Sequence, residues 1–278
     1  MTEPKPQPEL QPAARLRGVS AYAPPAPRWA IDLRLDSNEG RGPSAEVLDA
    51  IRSIDAEAVR RYPDAGPIEA KIAEKWGIDA PRVILTNGGD DAIDRVCRAA
   101  VNPGDRVVTH APSFEMIARS ASLAGAEVAP VRWVDGDFPE REFLDAITPG
   151  VSLVALVTPN NPTGAVIDPG TIARVVDAAR AVGAFVLLDL AYVEFADTDP
   201  TSAVLERDNV VIAHVLEGVG LAGLRVGYAL APASIAPCVR AAGGPYAVSS
   251  TSLAAVDAAL SVQNDDTTVR RSRRSASN

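Results

Sequence analysis

The chain has 278 residues, of which 47% are hydrophobic and 23% charged, with a net charge of −9. That is enough for one large domain or two small ones with a real core. A pI near 4.8 argues against a general nucleic-acid or anionic-membrane binder, since both need excess positive charge.

The first 27 residues are rich in Pro and Ala and have no apolar core segment, so no signal peptide is expected. Residues 1–30 read as a disordered or extended arm. A strand is predicted over Arg82–Thr86, then a helix from Asp90 to Val101. Further strands are predicted at Arg106–His110, Glu127–Trp133, Ser152–Thr158, Ala184–Leu188, Asn209–Val215 and Leu224–Leu230. Helices are predicted over Phe114–Ala124 and Pro169–Val182. In the second, Ile172, Val175, Val176 and Ala179 recur at three- and four-residue spacing. Buried strands alternating with helices imply an α/β fold, with a mostly parallel sheet covered by helices on both faces. The longest apolar stretch, Ala181 to Val193, is interrupted by Asp189 and is too short to span a bilayer. Two cysteines and two histidines, Cys97, Cys238, His110 and His214, make neither a disulfide framework nor a zinc site. A reducing cytoplasm is the expected compartment. From Gln263 the composition changes abruptly to QNDDTTVRRSRRSASN, with almost no apolar residues. Residues 263–278 read as a disordered basic tail.

Ligands bind such sheets at the carboxyl ends of the strands. The first strand runs into Asn87-Gly88-Gly89-Asp90-Asp91 at a helix start, which suits an anion. Alone, the same string reads first as Asp90 capping the helix. The Ser152–Thr158 strand runs into Pro159-Asn160-Asn161-Pro162-Thr163-Gly164. The next ends at Asp189-Leu190-Ala191-Tyr192, where a buried acid needs a partner, such as a cationic heterocycle nitrogen, or else caps a turn. Gly220-Leu221-Ala222-Gly223-Leu224-Arg225-Val226-Gly227-Tyr228 leads into the last strand. Arg225 there can hold a phosphate, or make an ordinary salt bridge.

In this order the four strings resemble the fold-type I pyridoxal-phosphate aminotransferases, and most of all the histidinol-phosphate aminotransferase branch, an enzyme of histidine biosynthesis. Ser37-Asn38-Glu39, Arg61-Tyr62-Pro63-Asp64 and Pro245-Tyr246 match that branch too. The resemblance covers residues 31 to 262. It implies a segment at 31–65 for small-domain or dimer contacts, a cofactor-binding large domain at 66–245 and an interdomain helix at 246–262. It implies that Gly88, Gly89 and Asp90 sit at the cofactor phosphate and that Phe114 stacks on the pyridine ring. Asn161, assisted by Tyr192, would bond the ring hydroxyl, Asp189 would pair with the ring nitrogen and Arg225 would hold the phosphate. Tyr62 would reach in from a second subunit of a homodimer.

The family needs a lysine eight residues before the arginine matched by Arg225, to form the Schiff base with pyridoxal 5'-phosphate. That position is Glu217. Only three lysines exist, Lys5, Lys71 and Lys75; the first is in the arm and the others share one face of a helix. A carboxylate cannot form an imine, and near a phosphate it would repel it by ~4 kcal/mol at 4 Å. Leu216 and His214 stand where the family usually places phosphate donors; His214 reads as a satisfied strand-end histidine. The chain is also shorter than its family at the C-terminal half of the small domain, as a frameshift or truncation would leave it, unless the tail is a functional one. The expectation is a catalytically impaired aminotransferase-like pseudoenzyme. Its cofactor binding would be weak and non-covalent, or limited to a small phosphate ligand, and it would pair with itself or with an active paralogue. The competing expectation is an active transaminase.

Overall fold

A computed structural model describes residues 13–16, 19–21, 42–215 and 221–275, of which 263–275 are described as backbone. Contacts divide the chain into two units, Met1–Asp36 and Ser37–Asn278. The described part of the first holds one short 3-10 turn, Ala14–Leu16. The expected arm and Ser37-Asn38-Glu39 otherwise lie outside the described residues.

The second unit begins with α1 (Ala45–Arg52), α2 (Ala56–Arg60) and α3 (Gly66–Trp76). There follow β1 (Val83–Thr86), α4 (Gly88–Ala100), β2 (Arg106–Ala111), α5 (Glu115–Ala124) and β3 (Glu127–Arg132). The chain continues through α6 (Glu140–Ala146), β4 (Val151–Val157), α7 (Pro169–Ala181), β5 (Phe185–Asp189), α8 (Thr201–Val204) and β6 (Val210–Val215). It ends with β7 (Gly227–Leu230), α9 (Ala236–Ala241) and α10 (Ser250–Ser275).

The seven strands form one sheet in the order β1-β7-β6-β5-β4-β2-β3. β7 runs antiparallel to both its neighbours, and the other pairs are parallel. The central strands are almost continuously apolar, with Ser152, Asp189 and His214 as the exceptions on β4, β5 and β6, because both faces are covered. On β4, Leu153, Ala155 and Val157 pack with Ile93 and Val96 of α4 and Ile117 of α5. Val154 and Leu156 point the other way, toward Ile172, Val175 and Val176 of α7. The same two-residue alternation holds on β5 and β6. Asp168 caps α7 by accepting from the Thr171 N–H at 3.0 Å, with Pro169 at the first helical position.

Two predicted elements change most at their ends. The last strand starts at Gly227, not Leu224, because Ala222–Leu224 form a 3-10 turn and Arg225 adopts a left-handed conformation with φ 53°. The closing helix continues to Ser275, through the segment read as a disordered tail. Residues 251–275 contain neither proline nor glycine, so nothing in them interrupts helical hydrogen bonding. The parallel β2–β4 ladder pairs Arg106–Val108 only. Beyond it the His110 Nε2 accepts the Val157 N–H at 3.1 Å, taking over the role of a strand carbonyl.

Where β7 begins, backbone meets backbone. A Cβ added at Gly227 would stand 2.8 Å from the Gly88 carbonyl carbon and 2.9 Å from the His214 carbonyl oxygen. Gly227→Ala is therefore expected to destabilise the protein by about 1–3 kcal/mol. Urea unfolding followed by circular dichroism checks this; an unchanged midpoint would show that the contact is loose.

Candidate functional site

The pocket sits where the first turn of α4 and the carboxyl ends of β4, β5 and β6 converge. Its walls are Gly89, Asp90, Ile93, Phe114, Val157, Asn161, Asp189, Ala191, Tyr192 and Val215. Six residues singled out from sequence therefore come together here: Gly89, Asp90, Phe114, Asn161, Asp189 and Tyr192. The apolar wall residues Ile93, Val157, Ala191 and Val215 carried no motif. Only strand parity could have found Val157 and Val215, which share the α4-facing side of their strands.

Asp189 is the last residue of β5 and is buried, with 3% exposure. Its Oδ1 accepts the Ala191 N–H at 3.0 Å. The turn-capping reading is realised, and the same carboxylate borders the cavity.

At the other end, Gly88 and Gly89 open α4. Gly88 has φ +74°, and a Cβ on it would lie 2.7 Å from the Arg225 Nη2. A Cβ on Gly89 would lie 2.9 Å from the Val215 Cγ1. Both positions need a bare backbone, the first also for its torsion. Arg225 is the one non-glycine residue with positive φ among the described residues. Such a conformation costs of order 1–3 kcal/mol, and here it lays the guanidinium across Gly88. Arg225 Nη2 donates to Asp90 Oδ2 at 2.9 Å. The expected cap role of Asp90 is corrected accordingly. The neighbouring Asp91 accepts the Asn87 N–H at 2.9 Å, and Asp90 pairs with Arg225 instead.

Two other residues discussed from the sequence stand apart from this pocket. His214 leaves β6 on the face opposite Val215, as strand alternation requires. It is stacked on Tyr228, with centroids 5.0 Å apart and planes at 18°, and its Nε2 lies 3.2 Å from the Thr201 Oγ1. It is a satisfied core histidine and does not aim at the helix start. Tyr62 is 79% exposed and stacks on Tyr246, with centroids 4.4 Å apart and planes at 15°; it is not among the walls of this pocket. Glu217, with residues 216–220, lies outside the described residues.

The lysines are remote. Lys71 and Lys75 are exposed on α3, as expected, but each has a partner: Asp257 of α10 for Lys71, and the Trp76 ring, 5.6 Å away, for Lys75. Trp76 packs on the His214 ring, so Lys75 serves the face of the sheet away from the pocket.

Comparison with known proteins agrees with this architecture. The family described as aminotransferase class I and II matches residues 30–277. The histidinol-phosphate aminotransferase of Paramagnetospirillum magneticum is 34% identical over 231 residues, covering 80% of this chain and 63% of that protein. That of Ruegeria sp. strain TM1040 is 34% identical over 266 residues, covering 94% of this chain and 72% of that protein. The chain thus spans under two thirds of the Paramagnetospirillum relative's length. Among solved structures, the histidinol-phosphate aminotransferase of Sinorhizobium meliloti in complex with pyridoxal-5'-phosphate superposes with a TM-score of 0.75. It is 27% identical and is matched over 84% of this chain and 65% of its own. Among the described residues no helix is long and apolar enough to cross a membrane.

Both histidines are buried, and burial pushes each pKa down to about 4 from an ordinary value of 6.5. The unfolded chain therefore binds more protons than the folded one between these values. Stability is expected to be full above pH 6.5 and to fall progressively as pH drops toward 4. Thermal unfolding across that range checks it; His110 protonation also removes the acceptor of the Val157 N–H. These features place the chain in the class I and II aminotransferase family, with its similarity directed to the histidinol-phosphate aminotransferases.

Proposed function

We propose that this chain keeps the pyridoxal-phosphate pocket of a histidinol-phosphate aminotransferase ancestor, binds the cofactor weakly and without a covalent bond, and has lost appreciable transaminase turnover. One observation carries the reading. Val215, at the end of β6, lines the pocket, and none of the five residues that follow it in the sequence is a lysine. Glu217 holds the position where the family has its reactive amine. Lys71 and Lys75, held on α3, offer no replacement.

The residues present suit the cofactor's ring. Pyridoxal phosphate acts as an electron sink when its ring nitrogen is protonated. Asp189, buried at the end of β5, would hold that proton. Asn161 and Tyr192 would meet the ring hydroxyl, and Phe114 would cover a ring face. The backbone N–H groups at Gly89 and Asp90, with Arg225, would hold the phosphate. Two features weaken that hold. Arg225 already bonds Asp90, so a phosphate must share or displace that carboxylate. His214 of β6 is turned to the opposite face, against Tyr228 and Thr201, and donates nothing there. A lost donor to a charged group costs about 1.5–3 kcal/mol.

The second reading is a working transaminase, transferring an amino group between an amino acid and a 2-oxo acid or phosphorylated ketone. The joint retention of Asn161, Asp189, Tyr192 and Arg225 favours it. For partners, we propose a homodimer or a dimer with an active paralogue. The exposed Tyr62–Tyr246 stack supports this as a face where a second chain docks. The cytoplasm is the proposed compartment.

Incubation with pyridoxal phosphate, borohydride reduction and intact-mass analysis separates the two readings. The expected result is no stoichiometric adduct on the native chain and one adduct, mapped to position 217, on the Glu217→Lys variant. A single-site adduct on the native chain, or measurable amino transfer, overturns the proposal. Asp189→Asn is expected to weaken reversible pyridoxal phosphate binding about 10- to 100-fold, the equivalent of one hydrogen bond to a charged group. Equilibrium dialysis checks that.

A further inference from the structure

The left-handed torsion of Arg225 is held from outside its own turn. Arg225 stands at φ 53° and ψ 56°. The peptide plane before it carries the Arg225 N–H at one end and the Leu224 carbonyl at the other. The N–H donates to the Ala222 carbonyl at 3.2 Å, within the 3-10 turn. The Leu224 carbonyl accepts from the Ser252 Oγ of α10 at 2.9 Å, a bond that spans 28 residues of sequence.

Rotation of this one plane exchanges the conformations open to Arg225. Because the peptide is rigid, turning it changes ψ of Leu224 and φ of Arg225 together and leaves the chain on either side in place. An arginine prefers negative φ, since its Cβ is crowded in the left-handed region. A flip to negative φ swings the Leu224 oxygen away from α10 and breaks the bond to Ser252. The Ser252 hydrogen bond therefore opposes the relaxation that the Arg225 side chain favours.

Ser252 is itself fixed. It lies in the first turn of α10 and is buried, with 6% exposure. Ser249 caps that helix, its Oγ accepting the Ser252 N–H at 3.1 Å. The cap is thus supplied by Ser249, and the Ser252 hydroxyl serves Leu224. The two hydroxyl oxygens lie 2.9 Å apart. Ser252 gives its one proton to Leu224, so Ser249 is the donor between them. Further along α10, Leu253 and Val256 are buried in the same core as Ile172 and Val175 of α7, and Asp257 pairs with Lys71 of α3.

The torsion decides where the guanidinium goes. With positive φ it lies across Gly88 and reaches Asp90 Oδ2. With negative φ the side chain departs from the backbone in another direction and leaves the start of α4. We infer that Ser252 is a positioning residue for Arg225, through which the first turn of α10 sets the phosphate affinity of the pocket. The effect on affinity rests on the reading of that pocket as a pyridoxal-phosphate site; the hold on the torsion does not.

Two measurements test the inference. Crystal structures of the native and Ser252→Ala chains are expected to show positive φ at Arg225 in the first and negative φ in the second. A positive φ retained in the variant, or a negative one in the native chain, overturns it, whether or not the cofactor binds. Equilibrium dialysis then compares pyridoxal 5'-phosphate with pyridoxal, which lacks the phosphate. Ser252→Ala is expected to weaken the phosphorylated ligand about tenfold, the equivalent of one hydrogen bond to a charged group, and to leave pyridoxal unchanged. Ser252→Thr, which keeps the hydroxyl, restores the native preference for the phosphorylated ligand. Equal loss of both ligands in Ser252→Ala marks a general loosening of the fold and overturns the inference, as does unchanged affinity for pyridoxal phosphate. If the native chain binds neither ligand, the pocket reading falls and the Arg225 torsion alone decides the role of Ser252. Ser252→Cys, which replaces the hydroxyl by a weak donor, carries the same comparisons if Ser252→Ala fails to fold.

Discussion

The close approach of β7 to the first turn of α4 governs the geometry of the candidate site. Gly227 faces Gly88 with no room for a Cβ between them. That contact lets β7 enter the sheet antiparallel between β1 and β6 with its first residue against the helix start. The chain arriving from the 3-10 turn must then turn sharply at Arg225, and the left-handed torsion there is the result. Arg225 is carried across Gly88 to Asp90. One backbone-to-backbone contact thus positions a cation over a helix N-terminus, where the unpaired N–H groups of the first turn also point. Side chains complete the cradle, and the glycine pair makes it.

The alternation of strands and helices was legible because it follows from burial. Val154 and Leu156 face one core while Leu153, Ala155 and Val157 face the other, so the strand reads as a continuous apolar run. The strings at the ends of β1, β4 and β5 were legible because loops at strand ends carry polar residues that no core explains. Short elements were not. α6, α8 and α9 are too short for a helical period to declare itself. The residues Leu224-Arg225-Val226 look like strand by composition, and their turn is set by the packing of Gly227, a tertiary effect. Asp90 and Asp91 are adjacent carboxylates with opposite fates, decided by where Arg225 arrives from more than a hundred residues downstream. Val215 is indistinguishable in sequence from the core valines before it.

Several retained residues also have partners within the chain. Asp189 bonds the Ala191 N–H and so ends β5 in a defined turn. Arg225 and Asp90 form an ion pair that ties the entry to β7 to the start of α4. His214 and Tyr228 are opposite residues on paired strands and stack on each other. These motif residues therefore serve the fold as well as the candidate site.

The sheet's outer strand β3 has a consequence for how copies of this chain can associate. It carries Pro130 opposite Thr109 of β2, with Glu127 and Arg132 exposed at its ends. Proline has no N–H to offer a further strand, and charged ends disfavour stacking of one edge on another. β3 therefore terminates the sheet instead of inviting an eighth strand. Growth of the sheet from chain to chain, the route to fibrillar aggregates, is disfavoured on that side.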